Sequence, residues 1–141
     1  MALLHRKALL AVAAVIDVAV HGKGQQLVSA KDLAARHNLP ARHLEPVLQA
    51  LVREGVLKGV RGPRGGYELA RERKRITVSE ILQAAGTIDD AGEDSMPRSQ
   101  LLRQVVMPAI SQAEKVFVAA LGRITIDELA RRAEPLKPGE G

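Results

Sequence analysis

Val60-Arg61-Gly62-Pro63-Arg64-Gly65-Gly66-Tyr67-Glu68-Leu69 is the stretch that decides the fold. Glycine and proline at this density make a turn, and residues 56–60 and 67–70 on either side are short strand candidates. Together they predict a β-hairpin with a basic tip. Two short helices are predicted just upstream. Ser29 starts the first, where its hydroxyl can cap first-turn amides and Asp32 favours the positive helix end. That helix stops near His37-Asn38, because Asn can take the left-handed cap. Leu39-Pro40 starts the second, whose Leu44, Val47, Leu48 and Leu51 fall on one face, and Glu54-Gly55 closes it. Pro46 lies inside it and removes an amide donor, so this helix either kinks there or effectively begins later. Two short helices across a tight turn, then a basic hairpin, describe a winged helix-turn-helix in a mainly α (α+β) chain.

The pattern extends in both directions. Residues 4–20 predict a helix with Leu9, Val12, Ile16 and Ala19 on its core face, ending at His21-Gly22. The charged start followed by an apolar run has the outline of a signal peptide. Asp17 interrupts the run and no small-residue cleavage site follows, so a core helix is expected instead. Residues 26–28 suit a single short strand. Downstream, Thr77-Val78-Ser79-Glu80 predicts a capping box in which Thr caps and Glu reaches back, opening a helix that ends at Gly86. Residues 87–97 hold four acids and no periodicity, the pattern of a linker loop. A long helix is expected over 98–121. Thr125-Ile126-Asp127-Glu128 starts a last short helix to about residue 133. The expected organisation is a DNA-binding domain over 1–86, an acidic linker over 87–98, a dimerisation helix with a short terminal helix over 99–133, and a flexible tail over 134–141.

Charge follows this division. Residues 1–86 carry 14 basic and 7 acidic side chains, whereas residues 87–141 carry 7 and 9. Within 53–75, eight basic side chains face three acidic ones, which equals the +5 excess of the whole chain. Such clustering suits a polyanion. The absence of cysteine excludes disulfides, Cys-ligated zinc, Cys-ligated iron–sulfur clusters and a thiol catalyst. With one Tyr and one Phe, the core must be aliphatic, and stacking platforms for single strands are lacking. His5, His21, His37 and His43 have no metal-ligand spacing. Gly62 to Gly66 lacks the Lys-Ser/Thr of a phosphate-binding loop, and no nucleophile–base pairing is evident. No enzyme, metal or cofactor is expected. No run reaches the roughly 18 apolar residues of a membrane span.

The second helix of such a pair fits the major groove, with its N-terminal side chains at base edges. Arg42 and His43 open that helix and are expected to touch bases or phosphate. Glu45 either accepts from a cytosine amino group or pairs with Arg42 on the helix surface. Arg61 and Arg64 at the hairpin tip suit the minor groove or phosphate. Ser29, Lys58, Gly65 and Tyr67 complete the expected DNA-contact set, with Tyr67 better suited to wing packing than to stacking. In the long helix, Leu102, Val106, Ala109, Ala113, Val116 and Ala120 repeat at coiled-coil spacing. About 23 residues give roughly 35 Å of helix, longer than a small DNA-binding head needs, so a homodimer seam is expected. Pro108 should break the ladder and kink this helix near Gln104.

Residues 8–21, the Leu44-Glu45 pair and above all the hairpin of residues 60–69 resemble the Rrf2 family of bacterial transcription regulators. The resemblance covers about residues 3–86, with weaker support from 124–129. It implies a cytoplasmic homodimer, joined through the long helix, on palindromic operator DNA. Many members hold an iron–sulfur cluster with cysteines between the fourth and the long helix. This chain has Asp89, Asp90, Glu93 and Asp94 in that stretch and no thiol, so the cluster is not carried over. Other departures are Arg64 where the family commonly has Gly, His43 where an aromatic residue is common, and Pro40 in place of a capping Ser. The expected function is a sequence-specific regulator of double-stranded DNA, a repressor, answering to a small-molecule or protein effector if to any. The alternative is a protein-interaction adaptor built on the same scaffold.

Overall fold

Helix α1 (Arg6–His21) is the axis of the fold, because its inner side is almost all alanine and valine. Ala8, Ala11, Ala14, Val15 and Val18 are buried, while Leu9 is 41% exposed. The core face expected on Leu9, Val12 and Ile16 is thus rotated onto the smaller residues. The reason is crowding: several helices pack around α1 at once, and short side chains let them approach. The computed structural model describes residues 6–22, 26–86 and 99–136. The acidic linker and the last five residues of the tail lie outside the described residues.

Helices α2 (Ala30–His37) and α3 (Ala41–Arg53) follow. Ser29 Oγ accepts from the Asp32 amide at 3.0 Å, and the Ser29 amide donates to the Asp32 carboxylate at 3.2 Å. This is a reciprocal capping box. The amide hydrogen bond holds the Asp32 carboxyl below its ordinary 3.8. Asn38 ends α2 in the left-handed conformation, as its side chain allows. α3 is helical straight through Pro46, which sits on the exposed side. Its inner side buries Leu44, Val47, Leu48 and Leu51.

Strands β1 (Leu57–Val60) and β2 (Gly66–Leu69) pair antiparallel, with Leu57 opposite Leu69 and Gly59 opposite Tyr67. The short strand expected over 26–28 is reduced to a single bridge, between Val28 and Tyr67. The Val28 amide donates to the Tyr67 carbonyl at 3.1 Å, and the Tyr67 amide returns a bond at 2.7 Å. Gly66 is required here: a Cβ would come within 2.7 Å of the Val28 carbonyl oxygen. Thr77 caps α4 (Val78–Ala84), but Glu80 does not reach back; its carboxylate takes the Arg71 guanidinium at 2.9 Å. The expected box is therefore half a box, because a cation nearby outcompetes an amide for the carboxylate.

The long helix begins with a π-helical turn, Leu102–Val106, and continues as α5 (Met107–Leu121). Pro108 explains the turn. It has no amide for the Gln104 carbonyl, and the wider ring accommodates the pyrrolidine. The kink expected near Gln104 thus takes the form of a π turn. One inserted residue rotates the helix beyond it by about 100°, so the expected seam does not run in one straight stripe. Phe117 and Leu121 dock on Ala8, Val78 and Leu82. The rest of the helix faces outward. Helix α6 (Ile126–Ala133) returns to the head, where Ile126 and Ala130 are fully buried in the main core. The Ile126 amide donates to the Ile76 carbonyl at 2.8 Å. By packing, α6 joins the core of the winged helix, and its Leu129 also meets the cluster around Leu121 at the end of the long helix. Among the described residues, no helix is long and apolar enough to cross a membrane.

Candidate nucleic-acid interface

The outer side of α3 carries Arg42, Glu45, Pro46, Gln49 and Arg53, all exposed. Their spacing puts them on one stripe, opposite the leucines that fix the helix to the core. His43 is exposed beside the stripe, in the first turn. Sequence reasoning found Arg42, His43 and Glu45 but passed over Gln49 and Arg53. The signal was there: they extend the same stripe by two turns.

A buried carboxylate fastens helix α2 to α1. Asp17 of α1 is 6% exposed. Arg36 donates to it from Nε at 2.9 Å and from Nη2 at 2.6 Å, and His37 Nε2 lies 2.8 Å from the same carboxylate. The carboxylate hydrogen bond raises the Arg36 guanidinium above its already high ordinary value. Asp17, read from sequence only as an interruption, anchors the helix-turn-helix to α1.

The hairpin tip is shaped by glycine. Gly62 has φ +127°, and a Cβ on Gly65 would collide with the Val60 carbonyl oxygen. The Gly65 amide is engaged by the Gly62 carbonyl at 2.9 Å. Gly65, expected as a DNA contact, therefore serves the turn. Tyr67 packs against the main core, and its ring lies over Gly59. Ser29 uses its amide and accepts on its hydroxyl within the capping box, which leaves the hydroxyl hydrogen free to donate.

The basic cluster divides in two. Arg71 pairs with Glu80 at 2.9 Å, and Arg73 pairs with Asp127 at 2.8 Å and Glu134 at 3.3 Å. Arg75 approaches Glu72 at 3.9 Å. Arg42, Arg53, Lys58, Arg61, Arg64 and Lys74 are exposed and make no side-chain hydrogen bond or ion pair with the described residues. Glu45 likewise has no partner among them, so the Arg42–Glu45 pairing is not formed. The arginines near the hairpin base fasten the head. The cations on α3 and the wing tip face outward.

A family model described as Rrf2, iron-dependent transcriptional regulator, matches residues 4–132. The chain belongs to the Rrf2 family. Similar curated proteins include a putative regulator, BadM, of Rhodopseudomonas palustris, 33% identical over 86% of this chain and 81% of that protein. The regulator IscR of Xenorhabdus nematophila is 31% identical over 89% of this chain and 77% of its own. Among solved structures, T. potens IscR aligns with a TM-score of 0.71 at 30% identity, covering 97% of this chain and 92% of that one. The cysteine regulator CymR of B. subtilis has the same fold, with a TM-score of 0.69 at 24% identity over 91% and 95% of the two chains. This Rrf2-family chain is thus a winged-helix protein of a DNA-binding regulator family. The iron of the family description meets no thiolate ligand in this chain. No cysteine exists in the chain, so thiolates cannot hold an iron–sulfur cluster. Among the described residues, no three His, Asp or Glu side chains gather as metal ligands.

Proposed function

We infer that the protein is a cytoplasmic, homodimeric repressor that binds a palindromic duplex operator and uses no iron–sulfur cluster. The reading rests above all on the cations of α3 and the wing tip, which have no partner among the described residues and stand beside the exposed stripe of α3. Arg42, His43 and Glu45 enter the major groove at the N-terminal end of α3 and contact base edges. Arg61 and Arg64 reach the adjacent minor groove or its phosphates, and Lys58 and the Ser29 hydroxyl contact phosphate. Support for the dimer comes from the apolar side chains on the outer side of the long helix. Leu101, Val105, Ile110 and Val116 are 64%, 59%, 60% and 68% exposed, too much apolar surface on one helix to face water alone. Ala109, Ala113 and Ala120 are exposed among them, which lets a second helix approach closely. No chemistry is ascribed to the chain. Any signal it answers to would be a small molecule or a protein, since it has no thiol to oxidise.

Selection of bound sequences from random duplex DNA tests the reading, together with the salt dependence of binding. The expected result is an enriched palindrome, bound with an affinity that falls steeply as salt rises. An intact dimer that binds no duplex at low salt would favour the adaptor instead.

A further inference from the structure

Between α3 and the wing lies a groove of about 320 Å³, lined by Gln49 and Val52 on one wall and by Gly59, Val60, Arg61 and Tyr67 on the other. None of its lining residues is acidic. The larger groove, between the start of α2 and the wing tip, includes the Asp32 carboxylate. Gln49 brings two amide donors and Arg61 a guanidinium fork, and neither side chain has a partner among the described residues.

Gly59 is the feature that the fold does not explain. Its φ lies outside the left-handed region, and a Cβ there would make ordinary contacts of 3.8 and 4.0 Å with the Tyr67 ring. A Cβ therefore fits, and a residue other than glycine would suit a strand better. A side chain at Gly59 would, however, stand on the face that lines the groove.

We propose that this groove seats one sugar–phosphate strand of the duplex, which Gln49 and Arg61 grip from opposite walls and which the bare backbone at Gly59 admits. The proposal rests on the reading of the protein as a duplex binder. A helix in the major groove and a hairpin in the neighbouring minor groove lie on either side of one backbone strand, so the space between them must receive backbone, not base edges. Gln49 stands about 12 Å along the axis from Ala41, beyond the N-terminal turns that meet base edges and level with the wing. Its neutral amide is suited to a phosphate oxygen in any sequence. Gly59 thus trades strand propensity for access.

Binding of the selected operator and of a random duplex, measured by anisotropy across a salt series, tests this with Gly59→Val, Gln49→Ala and Arg61→Ala. Gly59→Val should melt no lower than the parent protein, yet lose about tenfold or more in affinity, some 1.4 kcal/mol, on both duplexes. Gln49→Ala should weaken both duplexes about fivefold, as loss of one hydrogen bond does, with the salt slope unchanged because the amide is neutral. Arg61→Ala should weaken both and lower the slope by about 0.9. Parent-like binding by Gly59→Val and Gln49→Ala would overturn the seat while leaving duplex binding intact. So would a change in preference at one base position with Gln49→Ala, which would make Gln49 a base reader. If Gly59→Val fails to fold, Gln49→Ala, at an exposed position, decides alone. A parent protein that binds no duplex would overturn the proposal and the function it rests on together.

Discussion

Asp17 shows how one residue ties the DNA-reading unit to the rest of the protein. Its carboxylate is buried, and Arg36 beside it is largely covered. Replacing Asp17 with Ala leaves that guanidinium without its acceptor, and a broken buried pair costs roughly 3 kcal/mol. Chemical denaturation of Asp17→Ala, Arg36→Ala and the double variant should show the pair losing less than the sum of the two single losses. Asp32 acts more locally. Its carboxyl sits below 3.8 because it accepts from the Ser29 amide. A depressed folded-state value means that the cap stabilises above the ordinary value and fades as pH falls through the folded one. The stability gap between the parent and Asp32→Ala should therefore be widest near neutrality and close in strong acid, below about pH 3.8. At the base of the hairpin, Arg71 is engaged by Glu80, so Arg71→Ala should leave the salt slope of DNA binding unchanged. Lys74 faces outward, and Lys74→Ala should lower the slope if phosphate lies within its reach.

Among the elements, the long helix departs most from its own sequence pattern. The spacing from Leu102 to Ala120 describes an unbroken seam, but the π turn before Pro108 divides it. Residues after the turn, Ala109, Ala113, Val116 and Ala120, are all exposed, and Val106 lies in the π turn itself. Val116→Glu should therefore disrupt the dimer in sedimentation more than Val106→Glu, because it would bury a charge without a partner in the longer segment. The head should stay folded in both, since neither side chain belongs to a buried cluster. A dimer that survives both substitutions would place the interface elsewhere. Helix α3 shows the opposite relation between pattern and structure. Its apolar spacing and its exposed stripe are two sides of one helical period, so the core face and the solvent-facing stripe were readable together.

At the level of the whole molecule, two-fold symmetry would convert weak half-site contacts into a specific one. The preferred operator should be a palindrome with half-sites roughly 10 bp apart or a multiple of it. Arg42→Ala should relax base preference within each half-site, whereas dissociating the dimer with Val116→Glu should lower operator affinity without changing which bases a single head prefers, because linkage is lost and not readout. Footprinting of the two variants on one selected operator separates these outcomes. α5 docks its C-terminal end on α1 and α4, and α6 then turns back into the core, which leaves the outward face of the long helix uncovered by the described residues.

The hairpin was legible in the sequence because turn chemistry is local: the glycines and proline at positions 62–66 act on their own backbone, and Gly62 does adopt the φ that only glycine readily takes. The helix caps at Ser29, Thr77 and Thr125 were legible for the same reason, since each hydroxyl bonds an amide three residues on. The winged helix-turn-helix followed from their order along the chain. The tertiary structure alone decided which arginines face outward, because the acceptors lie far away in sequence: Arg73 finds Asp127 fifty-four residues later. It alone placed the alanines of α1 inward, since burial on that helix depends on α6, which arrives a hundred residues on. The groove between Gln49 and Gly59 belongs to neither element by itself. It is a gap between two packed surfaces, and a gap has no sequence pattern of its own.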